Sequence, residues 1–294
     1  MLEKIDILRK YLAHQGSVRV IVFDATQMVQ KARDIHQLSN VATAALGRTL
    51  IISTMMASML KEKEAKLTIQ IKGEGPLGSI VVCGDKSLKM KGYVGNYDVG
   101  LPLKTNGKLD VGRAVGKGML TVIKDIGLKE PYIGNCELIS SEIAEDFAYY
   151  FNVSEQTPSV VSLGVNIGKD NQVQKACGYL IQPLPDCEEK VLDILEGINT
   201  QISSVTNLML DLDNIEDVAK TISGDNQIQL LSEEYPIWAC DCNEERIEKT
   251  LLALGKKECE KILKENHNQI QVSCNFCNKV YSYDLSKIEQ IFRS

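Results

Sequence analysis

The chain has 294 residues and a mass of 32.6 kDa, a length that favours two domains or one domain with an appendage. With 44% hydrophobic and 24% charged residues, its composition is globular and excludes wholesale disorder. The formal net charge of −6 disfavours nucleic acid as a partner. The chain begins MLEKIDILRK, with acids where a signal peptide needs apolar residues, and its longest uncharged apolar stretch, Thr49 to Leu60, is too short for a bilayer span. We therefore expect a cytoplasmic protein with no membrane partner.

The charge is unevenly distributed along the chain. Residues 1–185 carry 22 basic and 18 acidic side chains, whereas residues 186–234 carry 12 acids against two lysines. Residues 235–294 are balanced, with nine of each sign. This pattern predicts three parts: a core α+β domain over 1–185, an acidic helical linker over 186–234, and a small C-terminal domain over 235–294.

The first block predicts an α+β fold with a mainly antiparallel sheet. The run SVRVIVFDAT alternates as a strand does; Thr26 predicts the cap of a helix through Gln37, and Ser39 the cap of another through Leu60. KLTIQIK, SIVVCG and LKMKGYV then follow one another at short spacing with Gly and Asp turns, which is typical of a meander. A helix over residues 142–151 and a hairpin of VVSLGVNIG with QVQKACGYLIQ complete the block.

The acidic block contains two helical patterns with short apolar faces. These faces consist of Val191, Ile194, Leu195 and Ile198 in the first pattern, and Ile215, Val218, Ala219 and Ile222 in the second. Isolated helices of this length are marginal in water and need a surface on which to pack. We therefore expect the order of this segment to depend on its neighbours.

Two close cysteine pairs mark the C-terminal block. Of nine cysteines in the chain, four form the pairs Cys240-Asp241-Cys242 and Cys274-Asn275-Phe276-Cys277. In a reducing cytosol such clusters suggest metal or redox chemistry rather than permanent bridges. Four thiolates at about 2.3 Å would close a tetrahedral Zn²⁺ shell, with no open position for catalysis. The sequence thus predicts one Zn²⁺ held by Cys240, Cys242, Cys274 and Cys277.

The sequence around the cysteines predicts a small domain held together by its metal. Asn243 can cap a helix that Gly255 ends, a second helix follows over KKECEKILKEN, and QIQV with VYSY forms a hairpin with CNFC at its tip. A last short helix contains Ile288, Ile291 and Phe292. A segment of this size has little core of its own, so its folding and its metal occupancy should be coupled.

Two functions remain open for such a zinc site on spacing alone. Zinc-bound thiolates react with peroxide, and oxidation of one pair would eject the metal and unfold the domain, which is a switch. The alternative is a constitutive structural zinc.

Of the other cysteines, we expect Cys83, Cys177 and Cys259 to be buried, whereas the sequence does not indicate the environment of Cys136 and Cys187. His267 is a candidate spare ligand, although four thiolates suffice. We expect no enzymatic activity, because the sequence contains no Ser-His-Asp signature, P-loop or GxGxxG motif.

The motifs together resemble one family over essentially the whole chain, the redox-regulated 33 kDa chaperonins, also called heat-shock protein 33. The segments that carry the resemblance are GEGPLGSIVV, KGYVGN, VGKGMLTVIKD, SEIAEDFAYYFNVSEQTPSVVSLGV, IWACDCNEERIEKTLLALGKKECEKIL and VSCNFCNKVYSYD. Ser141 stands where the family usually has Gly, Lys91 where an Arg is common, and Cys136 at a position that is usually Val-like.

The resemblance implies an ATP-independent holdase chaperone that binds unfolding or oxidatively damaged proteins. By resemblance, Cys240, Cys242, Cys274 and Cys277 would bind zinc in a reduced, inactive state. Oxidative stress would then form Cys240–Cys242 and Cys274–Cys277 disulfides and release the zinc. The acidic linker would unfold and expose a surface for client proteins, and the active molecules would form homodimers.

Two other classes of protein also carry paired cysteines. A zinc-ribbon nucleic-acid-binding protein should have a basic C-terminal domain, whereas this one is neutral. A dithiol oxidoreductase needs its CxxC in a βαβ context, whereas CNFC lies in a predicted hairpin. Binding of DNA or RNA and disulfide-reductase turnover would test these alternatives.

Overall fold

The computed structural model of the protein describes residues 5–185, 187–212, 214–266 and 268–292. The chain divides into two compact units, Met1–Trp238 and Ala239–Ser294. The first unit contains two large sheets with helices packed on them, and the second contains a two-stranded hairpin with three helices. This arrangement confirms the predicted α+β class with mainly antiparallel sheets.

The elements of the first unit follow one another in mixed order. Its strands are β1 (Ile7–Ala13), β2 (Val18–Asp24), β3 (Lys66–Gly73), β4 (Ser79–Asp85), β5 (Lys89–Val94), β6 (Gly118–Asp125), β7 (Tyr132–Glu137), β8 (Val160–Ile167), β9 (Val173–Pro183), β10 (Gln229–Glu234) and β11 (Ile237–Trp238). Its helices are α1 (Thr26–His36), α2 (Asn40–Ser58), α3 (Val111–Val115), α4 (Ala144–Val153), α5 (Glu189–Gln201), α6 (Val205–Leu212) and α7 (Ile215–Ser223).

The strands of the first unit form a five-stranded sheet, ordered β10-β1-β2-β9-β8, and a six-stranded sheet, ordered β11-β5-β4-β3-β6-β7. Among the described strands, only the short β11–β5 pair is parallel. The predicted meander is β3-β4-β5, and the predicted hairpin is β8-β9. Alternation along β3 places Leu67, Ile69 and Ile71 in the core, as a strand with one buried face requires.

Helix α2 lies at the centre of the first unit and contacts strands of both sheets. Ser39 caps it as predicted, because the Ser39 Oγ accepts a hydrogen bond from the Ala42 amide at 3.4 Å. Among the described helices, α2 is the one long and apolar enough to cross a membrane, but 94% of the relevant window is buried inside the protein. Such burial is typical of the core helix of a globular unit.

The N-terminus of α1 is capped differently from the prediction. Helix α1 begins at Thr26 itself, whose hydroxyl donates to Asp24 at 2.6 Å instead of capping the helix. The orphan amides of Gln27 and Met28 are bound by the carboxylate of Asp6, at 2.8 and 2.7 Å. Burial raises the pKa of Asp6 from 3.8 to about 7, although the two amides act to lower it. The Thr26 cap prediction was wrong because a side chain distant in sequence satisfies these amides.

A buried carboxylate organises the turn before α4. Asp146 is fully buried, and its two oxygens accept four backbone hydrogen bonds of 2.8–3.0 Å, from the amides of Ile139, Ser140, Ser141 and Ile143. Ser141 and Ile143 have φ angles of 63° and 74°, in the left-handed region that favours glycine. A glycine at position 141 would adopt this conformation without strain. The Ser141 hydroxyl offsets part of the strain by donating to the Gly116 carbonyl at 2.6 Å.

The acidic segment packs on the five-stranded sheet. Helices α5, α6 and α7 bury apolar side chains such as Leu195, Met209 and Val218 against Tyr11 and Tyr179 of the sheet. Helix α6 and strand β10 were not predicted from the sequence. The acidic segment lies within the first compact unit, Met1–Trp238. The division of the chain into three parts remains a prediction.

Candidate metal centre

The four paired cysteines lie in two segments of the second unit. This unit contains α8 (Glu244–Leu254), α9 (Lys256–Glu265), β12 (Gln269–Ser273), β13 (Val280–Asp284) and α10 (Leu285–Ile291). Cys240 and Cys242 lie in the extended stretch before α8, whose N-terminus is capped by the Asn243 side chain as predicted. Cys274 and Cys277 lie in the turn between β12 and β13.

Backbone hydrogen bonds close the turn that contains CNFC. The amides of Cys277 and Asn278 both donate to the Cys274 carbonyl, at 3.3 and 2.8 Å, and the Cys274 amide donates to the Lys279 carbonyl at 3.0 Å. Asn278 has a φ of 58°, a left-handed conformation that Asn tolerates better than most residues. The spacing of the pair thus produces a tight loop from which two sulfurs can reach one ion.

The four sulfurs converge with distances that suit a tetrahedral metal site. The Cys240 Sγ lies 3.7 Å from the Cys274 Sγ, the Cys242 Sγ lies 3.4 Å from the Cys277 Sγ, and all four lie within 4.8 Å of one another. A tetrahedron with Zn–S bonds of about 2.3 Å has S···S edges of about 3.8 Å. The donor set and its spacing therefore fit a metal ion, and Cys240, Cys242, Cys274 and Cys277 are the residues that could hold it.

Tyr281 donates a hydrogen bond to this cluster. Its hydroxyl lies 3.2 Å from the Cys242 Sγ, and this hydrogen bond raises the pKa of Tyr281, which keeps the phenol a donor. Burial opposes ionisation of Cys242, but hydrogen bonds from Tyr281 and from the neighbouring thiols outweigh it and lower the pKa of Cys242 from 9.0 to about 7. Burial raises the pKa of Cys240 to about 12. Without a metal, Cys242 thus ionises before Cys240.

Sequence reasoning did not find the role of Tyr281. The available signal was the alternation of VYSY after the second cysteine pair, which places Tyr281 and Tyr283 on the same face of β13. Within the described residues, the buried Tyr283 hydroxyl has no hydrogen-bond partner. The two tyrosines therefore differ in one respect that matters for the site: one binds a sulfur ligand and the other does not.

The second unit has a small core. Its buried cluster consists of Leu251, Cys259, Leu263, Ile270, Tyr281, Tyr283, Ile288 and Ile291. Cys259 is completely buried there, as predicted, whereas Leu254 at the end of α8 is 48% exposed. A unit with so few buried side chains depends on additional stabilisation, which a bound metal can supply.

The cysteines of the first unit differ in burial. Cys177 is buried as predicted, and its burial raises the pKa of its thiol strongly. Cys136 is buried as well, and burial raises its pKa to about 11. Cys83 and Cys187 are half-buried, so the expectation of a buried Cys83 was wrong: Cys83 lies on the more exposed face of β4. The candidate ligand His267 lies outside the described residues.

The chain is similar to known proteins over nearly its whole length. The family model described as Hsp33 protein matches residues 6–284. The 33 kDa chaperonin of Caldanaerobacter subterraneus is 46% identical over 290 residues, covering 98% of both chains, and that of Clostridium perfringens (strain SM101) is 41% identical over 288 residues, covering 97% of this chain and 91% of that protein.

A solved structure agrees with the sequence relationship. The crystal structure of the 33 kDa chaperonin (heat shock protein 33 homolog) from Thermotoga maritima superposes with a TM-score of 0.91 at 33% identity, covering 99% of this chain and 98% of that one. The chain belongs to the Hsp33 family. Its function is therefore that of a chaperone, whose partners are unfolded client proteins.

Proposed function

We propose that the protein is a redox-regulated, ATP-independent holdase of the cytoplasm. In its reduced form, Cys240, Cys242, Cys274 and Cys277 bind one Zn²⁺, and the protein is inactive. The observation that carries this proposal is the convergence of the four sulfurs within 4.8 Å of one another in a unit with a small core. Such a unit loses its fold when its metal leaves, which converts a chemical change at sulfur into a loss of structure.

The oxidative step consumes one peroxide for each disulfide. A thiolate attacks the peroxide oxygen to give a sulfenic acid and hydroxide, and the second thiol of the pair displaces water from it to form the disulfide. We propose the pairs Cys240–Cys242 and Cys274–Cys277. The sulfurs of the two pairs approach each other to 3.4 and 3.7 Å, and all four lie within 4.8 Å of one another. A disulfide within either pair therefore requires its two sulfurs to move closer together, which release of the zinc permits.

The acidic segment is the proposed conditional element. It buries its apolar helix faces against the five-stranded sheet while carrying ten more acidic than basic side chains over residues 186–234. On release it would expose apolar surface for clients, and its charge would keep it in solution. Active molecules would form homodimers, and no catalysis, nucleic acid or membrane takes part.

Serine variants test the assignment of the switch. We compare the holding of a heat-unfolded client by the Cys240→Ser/Cys242→Ser variant with that by a control, Cys83→Ser/Cys187→Ser, which removes two half-buried thiols elsewhere. Peroxide should increase holding by the wild type and by the control, and should leave holding by the cluster variant unchanged. An equal response of both variants would refute the assignment.

A further inference from the structure

The edge of the five-stranded sheet is formed by a strand from the acidic segment. Strand β10 pairs antiparallel with β1, with Leu8 opposite Glu234 and Leu12 opposite Gln229. On its other side β1 pairs with β2 over its full length, from Ile7 to Ala13. If β10 left, β1 would become an edge strand with a row of unpaired amides and carbonyls.

Strand β10 is held weakly for a strand in a sheet. All six of its residues are exposed or half-buried, and Leu230 and Leu231 are 51% and 49% exposed. Its ladder with β1 is interrupted by a register shift between Lys10 and Tyr11. Apart from backbone pairing, two partly buried ion pairs join its side chains to β1.

These ion pairs indicate which side chains suit a strand that pairs with β1. The Arg9 Nε lies 2.6 Å from Glu233, and the Lys10 Nζ lies 3.1 Å from Glu234. Lys10 also donates to the Ser58 carbonyl at the end of α2, at 2.6 Å, so its ammonium stays in position without β10. The edge thus offers a strand ladder with two adjacent cations along it.

We propose that β1 takes an extended segment of a client protein as an added strand once β10 has left. This inference rests on the proposed function, because it assigns the release of β10 to the activated state. The client segment would pair antiparallel with β1 through its backbone, as β10 does, and carry acidic side chains that form ion pairs with Arg9 and Lys10. Strand addition binds unfolded chains of varied sequence, because most of the affinity comes from main-chain hydrogen bonds.

A peptide with the sequence of residues 227–235, QIQLLSEEY, is the probe. We measure its binding by fluorescence anisotropy to the oxidised full chain, together with the binding of QIQLLSKKY and QIPPLSEEY. The lysine peptide should bind about tenfold more weakly, from two lost ion pairs and the added repulsion. The proline peptide should also bind at least about tenfold more weakly. Its two prolines replace Gln229 and Leu230, which are paired with Leu12 and Tyr11, and one of two neighbouring amides in a strand points to the partner strand. Equal binding of the proline peptide would overturn strand addition.

A variant that releases β10 without oxidation separates this inference from the redox switch. Glu233→Lys/Glu234→Lys replaces the acidic partners of Arg9 and Lys10 with lysines, whereas the control Glu196→Lys/Asp211→Lys makes the same charge change at exposed positions of α5 and α6. Without oxidation, the Glu233→Lys/Glu234→Lys variant should bind QIQLLSKKY weakly and QIQLLSEEY strongly. The reduced control variant should bind neither peptide. Failure of redox activation would overturn the proposed function and leave this result intact.

Hydrogen exchange locates the bound strand. In the oxidised protein, the β1 amides that face away from β2 should exchange at least tenfold faster than in the reduced protein, and a heat-unfolded client should restore their protection. Unchanged exchange of β1 on addition of a client that is nevertheless held would overturn the inference. Protection that returns with protein concentration alone would also overturn it, because the added strand would then come from a second copy of this chain.

Discussion

Replacing Tyr281 with Phe should weaken metal binding about tenfold. The change removes the hydroxyl that donates to the Cys242 Sγ at 3.2 Å and leaves the ring in the core of the second unit. Loss of a hydrogen bond to a metal ligand typically costs 10–100-fold in metal affinity. We expect the lower end of that range, because one of four sulfurs is affected and sulfur is a weak acceptor. In the zinc-bound form, where Cys242 is already a thiolate, the same loss makes its sulfur more nucleophilic, so peroxide should oxidise the zinc-bound variant faster than the zinc-bound wild type.

The assay is a competition for Zn²⁺ between the reduced protein and a chromophoric chelator. Tyr283→Phe is the matched control, because this tyrosine lies two residues further along the same strand, and its buried hydroxyl has no partner within the described residues. The control should keep the zinc affinity of the wild type. Equal affinities of Tyr281→Phe and the wild type, or an equal loss in both variants, would refute the role of the Tyr281 hydroxyl.

Three further predictions concern the two units separately. Asp146→Asn should lower the free energy of unfolding by about 2–4 kcal/mol, because the new side-chain NH₂ group faces buried backbone donors. The control Asp98→Asn, at an exposed site, should change the free energy of unfolding by less than about 0.5 kcal/mol, and urea unfolding measures both. Burial raises the pKa of Asp6 to about 7, so its contribution to stability is fully present below about pH 4 and is lost as the pH rises through 7. Relative to Asp6→Asn, the free energy of unfolding of the wild type should therefore fall by on the order of 3 kcal/mol between pH 4 and 8. A difference between the two proteins that does not depend on pH would contradict this. Chelation of the metal should abolish amide protection over residues 239–294 while the core of 1–238 stays protected, and retention of protection in both units would contradict the coupling of metal and fold.

The second unit could be predicted almost completely from the sequence, because its information is local. The Asn243 cap, the stop at Gly255 and the turn of the second cysteine pair each depend on residues a few positions apart. The convergence of the two cysteine pairs followed from the preference of zinc for four ligands. Tyr281 was missed because its hydrogen bond to Cys242 joins residues that are 39 positions apart.

The first unit shows where local patterns fail. The cap of α1 comes from Asp6, about twenty residues before the amides that it binds, so the Thr26 pattern indicated a cap that tertiary structure supplies otherwise. Strand β10 was missed because its residues, QLLSEE, lack the alternation of a half-buried strand; its pairing with β1 is set by backbone contacts across more than 200 residues. The family resemblance supplied the chaperone function, which no local pattern indicated.

The central claim is that loss of zinc, loss of four thiols and gain of holding activity are one event. We would measure bound zinc, free thiols and suppression of client aggregation in the same samples of the full chain, before and during treatment with peroxide at mildly raised temperature. The account predicts that the three change together, with one zinc and four thiols lost per chain as holding activity rises. Holding activity that is already complete while zinc remains bound, or that stays absent after zinc and four thiols have gone, would contradict it.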